Sequence, residues 1–262
     1  MYGKDINRKD RIGMWRLGRI GYGAASEMAR LGAKIILVAR NESKLQEKLA
    51  TLKEINDIDH HYVVCDFNDM NLVHSTFKDL ASNQAIHILI NNCGGPAPGP
   101  LLKAKSEDLL KAFQLHIIVS HEITKYVVPV MQSEGYGRII NIVSTSVRQP
   151  IMGLGVSNTI RGATASWSKT MSLELAASGV TVNNILPGAT KTPRLTNILK
   201  SKQEKFNISK EEAENNYLSQ IPMGRFAEVE EVSKTIAFLA SPGAAYITGV
   251  SLQVDGGRIK SI

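Results

Sequence analysis

The sequence predicts an α/β fold, a single-domain doubly wound parallel sheet, from two observations. Short apolar, β-branched runs recur at residues 34–38, 62–65, 86–90, 138–143, 180–186 and 251–254, with amphipathic stretches of helical period between them. The runs are apolar on both faces, as strands need to be when helices cover a sheet on each side. A chain of 262 residues can bury one large core of this kind, and no repeat or low-complexity linker divides it, so one domain spanning 1–262 is expected.

In such sheets ligands gather beyond the carboxyl ends of the strands, so the residues that follow each run are the informative ones. The first of the six runs ends in Ala39-Arg40-Asn41, and the second in Asp66-Phe67. The third ends in Asn91-Asn92-Cys93-Gly94-Gly95, the fourth in Ser144-Thr145 and the fifth in Pro187-Gly188. Ahead of them all, residues 7–14 carry Arg8, Lys9, Asp10 and Arg11, whereas a central parallel strand is nearly all apolar. Those charges are costly to bury, which makes the first strand doubtful and marks residues 1–17 as an aberrant segment.

Composition narrows the function classes. A hydrophobic share of 43% and a charged share of 21% are ordinary for a globular protein. The net charge of +7 comes from dispersed residues without interleaved aromatics, which argues against nucleic acid. No run reads as a signal peptide or membrane span, and Cys65 and Cys93 form neither a disulfide framework nor a metal-ligand pattern. A cytoplasmic protein with no metal and no membrane partner is expected.

Five tags in order carry a resemblance: Asn-Asn-Cys-Gly at 91–94, Gly-Arg-Ile-Ile-Asn-Ile-Val-Ser at 137–144, Asn-Asn-Ile-Leu-Pro-Gly at 183–188, Ile-Pro-Met-Gly-Arg-Phe at 221–226, and Tyr-Ile-Thr-Gly at 246–249 with Val-Asp-Gly-Gly at 254–257. From Gly21 onward the chain resembles the short-chain dehydrogenase/reductase family, with a Rossmann-like fold, and especially members similar to 3-oxoacyl-(acyl carrier protein) reductases. The resemblance implies a nicotinamide cofactor, and an arginine at the end of the second family strand, Arg40, rather than an acid favours NADP over NAD. It further implies that Asp66 accepts the adenine amino group and that Asn91, Asn92 and Gly94 let backbone pass close to the adenosine ribose. Pro187, Gly188 and Thr192 match the turn that holds the nicotinamide carboxamide.

Two departures stand out. The family's Thr-Gly-x-x-x-Gly-x-Gly loop receives the pyrophosphate, but only its last glycine, Gly21, is present; Trp15 and Arg19 hold the other two positions. Methionine and tryptophan have single codons, and reading Met14-Trp15 one base later forces a glycine at the first of these positions. A one-base slip ending near Ile20 therefore accounts for the loss, and resequencing the gene tests it. The second departure lies in Gly-Leu-Gly-Val-Ser-Asn-Thr-Ile-Arg at 153–161, where the family's catalytic tyrosine and lysine positions fall on Ser157 and Arg161. Ser144 keeps the family's serine position, and His116 takes its asparagine position.

Serine has no accessible acidity near neutral pH, whereas Arg161 offers fixed donors for ribose hydroxyls and His116 is suited to proton transfer. Residues 193–220 correspond to the family's substrate lid; its Lys200, Lys202, Lys205 and Lys210 fit either a solvated face or an acidic carrier or CoA phosphate. Two functions follow. One is an NADP-dependent reductase or dehydrogenase acting on a carbonyl, secondary alcohol or acyl thioester with modified proton delivery. The other is a catalytically inactive relative serving as a nucleotide-binding or oligomeric scaffold. Family members are usually homo-dimers or homo-tetramers, so a homo-oligomer is expected.

Overall fold

The computed structural model describes residues 12–16, in their backbone alone, and residues 18–261. Among these residues seven strands form one sheet: β1 Ile12–Arg16, β2 Lys34–Ala39, β3 His61–Val64, β4 Ile86–Asn91, β5 Gly137–Ile142, β6 Val180–Pro187 and β7 Ser251–Val254. Their order is β3-β2-β1-β4-β5-β6-β7, and every pairing is parallel. Among the described residues nine α-helices occupy the crossovers: α1 Arg19–Arg30, α2 Glu42–Lys53, α3 Met70–Asn83, α4 Ser106–Phe113, α5 Val119–Ser133, α6 Gly155–Leu175, α7 Pro193–Phe206, α8 Lys210–Leu218 and α9 Val229–Ala240. The doubly wound sheet follows from strands buried on both faces. Ile35 and Leu37 of β2 pack with Ala24, Met28, Val232 and Ile236 on one side, while Ile36 and Val38 pack with Val73, Phe77 and Ile123 on the other.

The first strand corrects the sequence expectation. β1 forms, and it is central, pairing with β2 through Ile12↔Lys34 to Arg16↔Val38 and with β4 through Ile12↔Ile86 to Trp15↔Ile90. The physical reason is its placement: Ile-Gly-Met-Trp-Arg begins after the charged run and carries its single charge at the exit end. Arg8, Lys9, Asp10 and Arg11 lie outside the described residues. The chain then enters α1 almost at once, with Gly18 as its N-cap and Tyr22 N–H donating to the Gly18 carbonyl at 2.7 Å.

Polar residues inside the sheet also have defined work. Asn91, Asn141, Asn184 and Ser251 are register partners across β4, β5, β6 and β7. Asn91 Nδ2 donates to Asn141 Oδ1 at 2.9 Å, Asn141 Nδ2 to Asn184 Oδ1 at 3.2 Å, and Asn184 Nδ2 to Ser251 Oγ at 3.1 Å. The adjacent Asn183 bridges a different segment, donating to the Ile247 carbonyl at 2.8 Å and accepting from Val250 N–H at 3.1 Å. The Asn-Asn tag of β6 thus ties the sheet sideways and anchors the Tyr-Ile-Thr-Gly loop.

Residues 193–220 fold as two helices around Leu195, Leu199, Ala213, Tyr217 and Ile221. Ser209 starts α8 with a reciprocal capping box to Glu212, as its sequence signature predicts. Lys200 and Lys210 face Glu204 and Glu214 one turn on, Lys202 lies 4.5 Å from the Tyr217 ring centroid and Lys205 lies 5.2 Å from that of Phe206, so all four lysines have neighbours within the lid.

At the start of α9, both Glu231 oxygens take hydrogen bonds from Arg225, at 2.6 and 2.7 Å, and one also accepts from the Glu228 amide at 2.8 Å. The Arg225 fork first, and the amide second, bring the Glu231 carboxyl down from 4.5 to about 2. A depressed folded-state value contributes stability that is present above pH 4.5 and lost as pH falls through about 2. Glu231→Gln is expected to flatten the acid side of the stability profile in that window. Urea midpoints at pH 7 and pH 3 check this, and an unchanged pH dependence would count against the role.

Candidate active site

The carboxyl ends of the strands collect the candidate residues into two groups, on either side of the β1–β4 boundary where the strand order reverses. On the β1–β2–β3 side, α1 presents its first amides at Gly18 to Gly21, which have no partner within the helix and form a ready receptor for an anion. Gly21 is the third helical residue and is buried. Gly18 supplies the close approach: a Cβ there would sit 2.5 Å from Asn92 Nδ2. The Asn-Asn turn after β4 therefore packs directly on the helix entrance. This contact gives Gly18 a job that counting from Gly21 does not reveal.

Arg40 is exposed just beyond β2, and Asp66 is half-buried just beyond β3. Asp66 Oδ1 accepts from the Asn68 amide at 3.0 Å and from Asn68 Nδ2 at 2.8 Å. These two bonds, with the positive charge of Arg40 adding to them, hold its carboxyl below the usual range. The site thus keeps an ionised acceptor and a guanidinium side by side.

On the β4–β5–β6 side, Ser144 stands half-buried two residues beyond β5, its Oγ accepting from Ser146 N–H at 3.1 Å. Ser157 and Arg161 lie one turn apart on α6, 6% and 8% exposed. Arg161 Nη1 donates to the Ile142 carbonyl at 2.8 Å and Nη2 to the Cys93 carbonyl at 3.5 Å, so this side chain spans the exits of β5 and β4. Burial, opposed by Cys93 and reinforced by the nearby charge of Arg194, brings its guanidinium down to about 10, which leaves it protonated at neutral pH.

His116 sits in a π-helical turn, Gln114–Ile118, between α4 and α5. Such turns are frequent at functional sites. The ring is 4% exposed, and Nε2 lies 3.1 Å from the Gly94 carbonyl. A carbonyl only accepts, so this nitrogen carries the proton. His116 thereby fixes the Asn-Asn-Cys-Gly turn from behind.

Asn91 points its amide into the interstrand ladder and Asn92 lays its amide against Gly18, while Gly94 is exposed in the turn. Pro187 and Gly188 end β6; a Cβ on Gly188 would lie 2.7 Å from Asp255 Cα, so glycine is required there by the Val-Asp-Gly-Gly segment itself. Thr192 caps α7, and its Oγ1 donates to the Thr190 carbonyl at 3.2 Å. The sequence reading missed Arg194. It enters from the first turn of α7, half-buried, with Nη2 donating to the Pro96 carbonyl at 3.1 Å. Its only signal in the sequence is its position two residues past the Pro-Gly-x-x-x-Thr turn.

Fold and site geometry define a nucleotide-cofactor α/β oxidoreductase architecture, and the comparisons with known proteins agree. The family model described as enoyl-(acyl carrier protein) reductase matches residues 17–258, and the chain belongs to the short-chain dehydrogenase/reductase family. Among its relatives, the NADPH-dependent reductase BacG of Bacillus subtilis is 32% identical over 248 residues, covering 93% of this chain and 95% of that one. The 3-oxoacyl-(acyl-carrier-protein) reductase FabG of Pseudomonas aeruginosa is 28% identical over 244 residues, covering 92% and 94%. The solved L-sorbose reductase of Gluconobacter frateurii, complexed with NADPH and L-sorbose, superposes with a TM-score of 0.90 at 27% identity, covering 98% of this chain and all of that one. Among the described residues no helix is long and apolar enough to cross a membrane.

Proposed function

We propose that this protein is an NADP-dependent short-chain reductase that acts on a carbonyl group, with proton delivery reorganised around Ser144, His116 and Arg161. The observation that carries the reading is the Arg161 bond to the Ile142 carbonyl, which sets the family's lysine position against the exit of β5, two residues from Ser144. The residues present fit the cofactor. The first amides of α1 would receive the pyrophosphate, Arg40 the 2′-phosphate and Asp66 the adenine amino group, with Asn91, Asn92 and Gly94 along the ribose. Pro187, Gly188 and Thr192 would meet the carboxamide, and Arg161 the second ribose. When bound, NADPH would supply a hydride; Ser144 would orient the carbonyl oxygen, and His116, which holds the turn that shapes the cleft, would relay a proton through water. BacG and the sorbose reductase, both named with NADPH, support the cofactor choice.

Titration of the purified protein with NADPH and NADH tests the first part. NADPH is expected to bind more tightly, and Arg40→Ala to weaken NADPH by about tenfold or more while leaving NADH unchanged, as loss of a charge-assisted contact requires. Equal loss for both nucleotides would remove Arg40 from the 2′-phosphate. In a screen of carbonyl substrates, Ser144→Ala and His116→Ala are each expected to lower turnover by about tenfold or more. Unchanged turnover in both variants would take these residues out of the mechanism.

A second reading, a non-catalytic scaffold that binds nucleotide, draws on the burial of Ser157, which places a non-acidic hydroxyl where a proton donor is needed. Nucleotide binding without turnover of any carbonyl would favour it. A homo-oligomer is part of either reading: Ile118 at the end of the π-turn before α5, Leu173 on α6, and Phe238, Val250 and Leu252 near β7 are exposed apolar side chains of the sort that a second copy covers. Sedimentation velocity distinguishes dimer or tetramer from monomer.

A further inference from the structure

We propose that Arg161 and Arg194 together form a site for an oxyanion on the substrate, a carboxylate in chemical class, at the carboxyl ends of β4, β5 and β6. The identity of its ligand as substrate rests on the reductase reading above; the site itself rests on geometry. Arg161 comes from the middle of α6 and Arg194 from the first turn of α7, and Gly95 lies between their forks. A Cβ on Gly95 would stand 3.4 Å from Arg194 Nη2 and 3.7 Å from Arg161 Nη2, so the two guanidinium groups converge on one point of the turn. Glycine at 95 leaves that point open.

Among the described residues neither arginine forms an ion pair with a carboxylate, and the ionisable group that favours the Arg161 charge is the Cys93 thiol. Arg161 is 8% exposed, its Nε is buried without a partner, and its Nη2 bond to Cys93 stretches to 3.5 Å. Arg194 spends one donor on the Pro96 carbonyl. Two like charges that converge in a poorly hydrated setting repel, and each loses solvation. Burial lowers the proton affinity of both, yet Arg161 at about 10 stays charged. An oxyanion offsets this arrangement, because a guanidinium fork matches a carboxylate in paired hydrogen bonds. The cofactor's phosphates have their own receptors on the far side of the strand-order reversal, at the α1 entrance and Arg40; on the reductase reading Arg161 also meets the second ribose, so the oxyanion it shares with Arg194 is one that the substrate carries beside that ribose.

Calorimetry on the intact protein tests this without requiring turnover. The probes are acetoacetate, its neutral methyl ester and inorganic phosphate, each alone and with saturating NADPH. Acetoacetate is expected to bind at least tenfold more tightly than the ester, with NADPH present or absent. Arg194→Gln and Arg161→Gln are each expected to weaken acetoacetate by about ten- to a hundredfold, the range for a hydrogen bond to a charged group. Arg194 is only half-buried, so its variant keeps the test open if the Arg161 variant does not fold. Equal binding of acid and ester, no binding of acetoacetate, or no effect of Arg194→Gln would overturn the site. Anion binding that NADPH displaces would assign the arginines to the cofactor and overturn the substrate assignment. Acetoacetate binding in a protein that binds no nucleotide would support the oxyanion site and remove the reductase reading, so the two fail separately.

Discussion

Turnover of a neutral ketone with NADPH is expected to rise by about a hundredfold when Ser157→Tyr and Arg161→Lys are combined in one chain, the lower end of what a positioned proton donor contributes. Ser157 and Arg161 keep the four-residue step of the family's tyrosine and lysine on a single helix, so both replacements enter from the same face of α6. The phenol has an ordinary value near 10, and a neighbouring ammonium lowers it towards the working range. Ser157→Tyr alone is expected to do less, since Arg161 is committed to the Ile142 carbonyl and lies one long contact from Cys93. The larger side chain enters a position only 6% exposed, and overpacking there costs about 1–3 kcal/mol. Thermal melting separates that cost from catalysis. A folded double variant that binds NADPH like the parent and turns over no faster would show that the missing tyrosine is not what limits this site.

Asn141→Ala is expected to be the most damaging single truncation inside the sheet. The amide of Asn141 receives Asn91 on one side and donates to Asn184 and to Ser168 Oγ, the last at 3.1 Å, and all four residues are no more than 5% exposed. Truncation leaves several buried polar groups unsatisfied, each worth about 1–3 kcal/mol, so a total loss of about 3 kcal/mol or more is expected. Denaturant unfolding measures it, and a loss below about 1 kcal/mol would mean that the ladder rearranges at little cost. The same variant is expected to weaken NADPH, because the ladder fixes Asn91 and thereby the turn that packs on Gly18.

Much of the architecture was legible because it follows from local patterning. Six of the seven strands announce themselves as apolar β-branched runs, and 251–254 coincides with β7 end to end. β1 was not legible: its five residues include glycine and a terminal arginine, and they adjoin a charged run, so neither period nor composition marks a central strand. Its pairing partners, β2 and β4, are what make it one. The candidate residues were found as types at strand ends, but their partners were not. That His116 holds Gly94 depends on a π-turn, and that Arg194 converges with Arg161 depends on where the lid helix leaves β6.

The sequence by itself determined the parallel α/β sheet, the order in which site residues follow its strands, and the absence of tyrosine and lysine from their usual step on α6. Those are properties of runs and spacings along one chain. Tertiary structure alone decided which buried polar groups meet. Asn91 and Asn141 are 50 residues apart, and the Gly95 turn is brought to two arginines on separate helices. Register and helix packing, set by burial of the apolar faces, place such groups within hydrogen-bond reach.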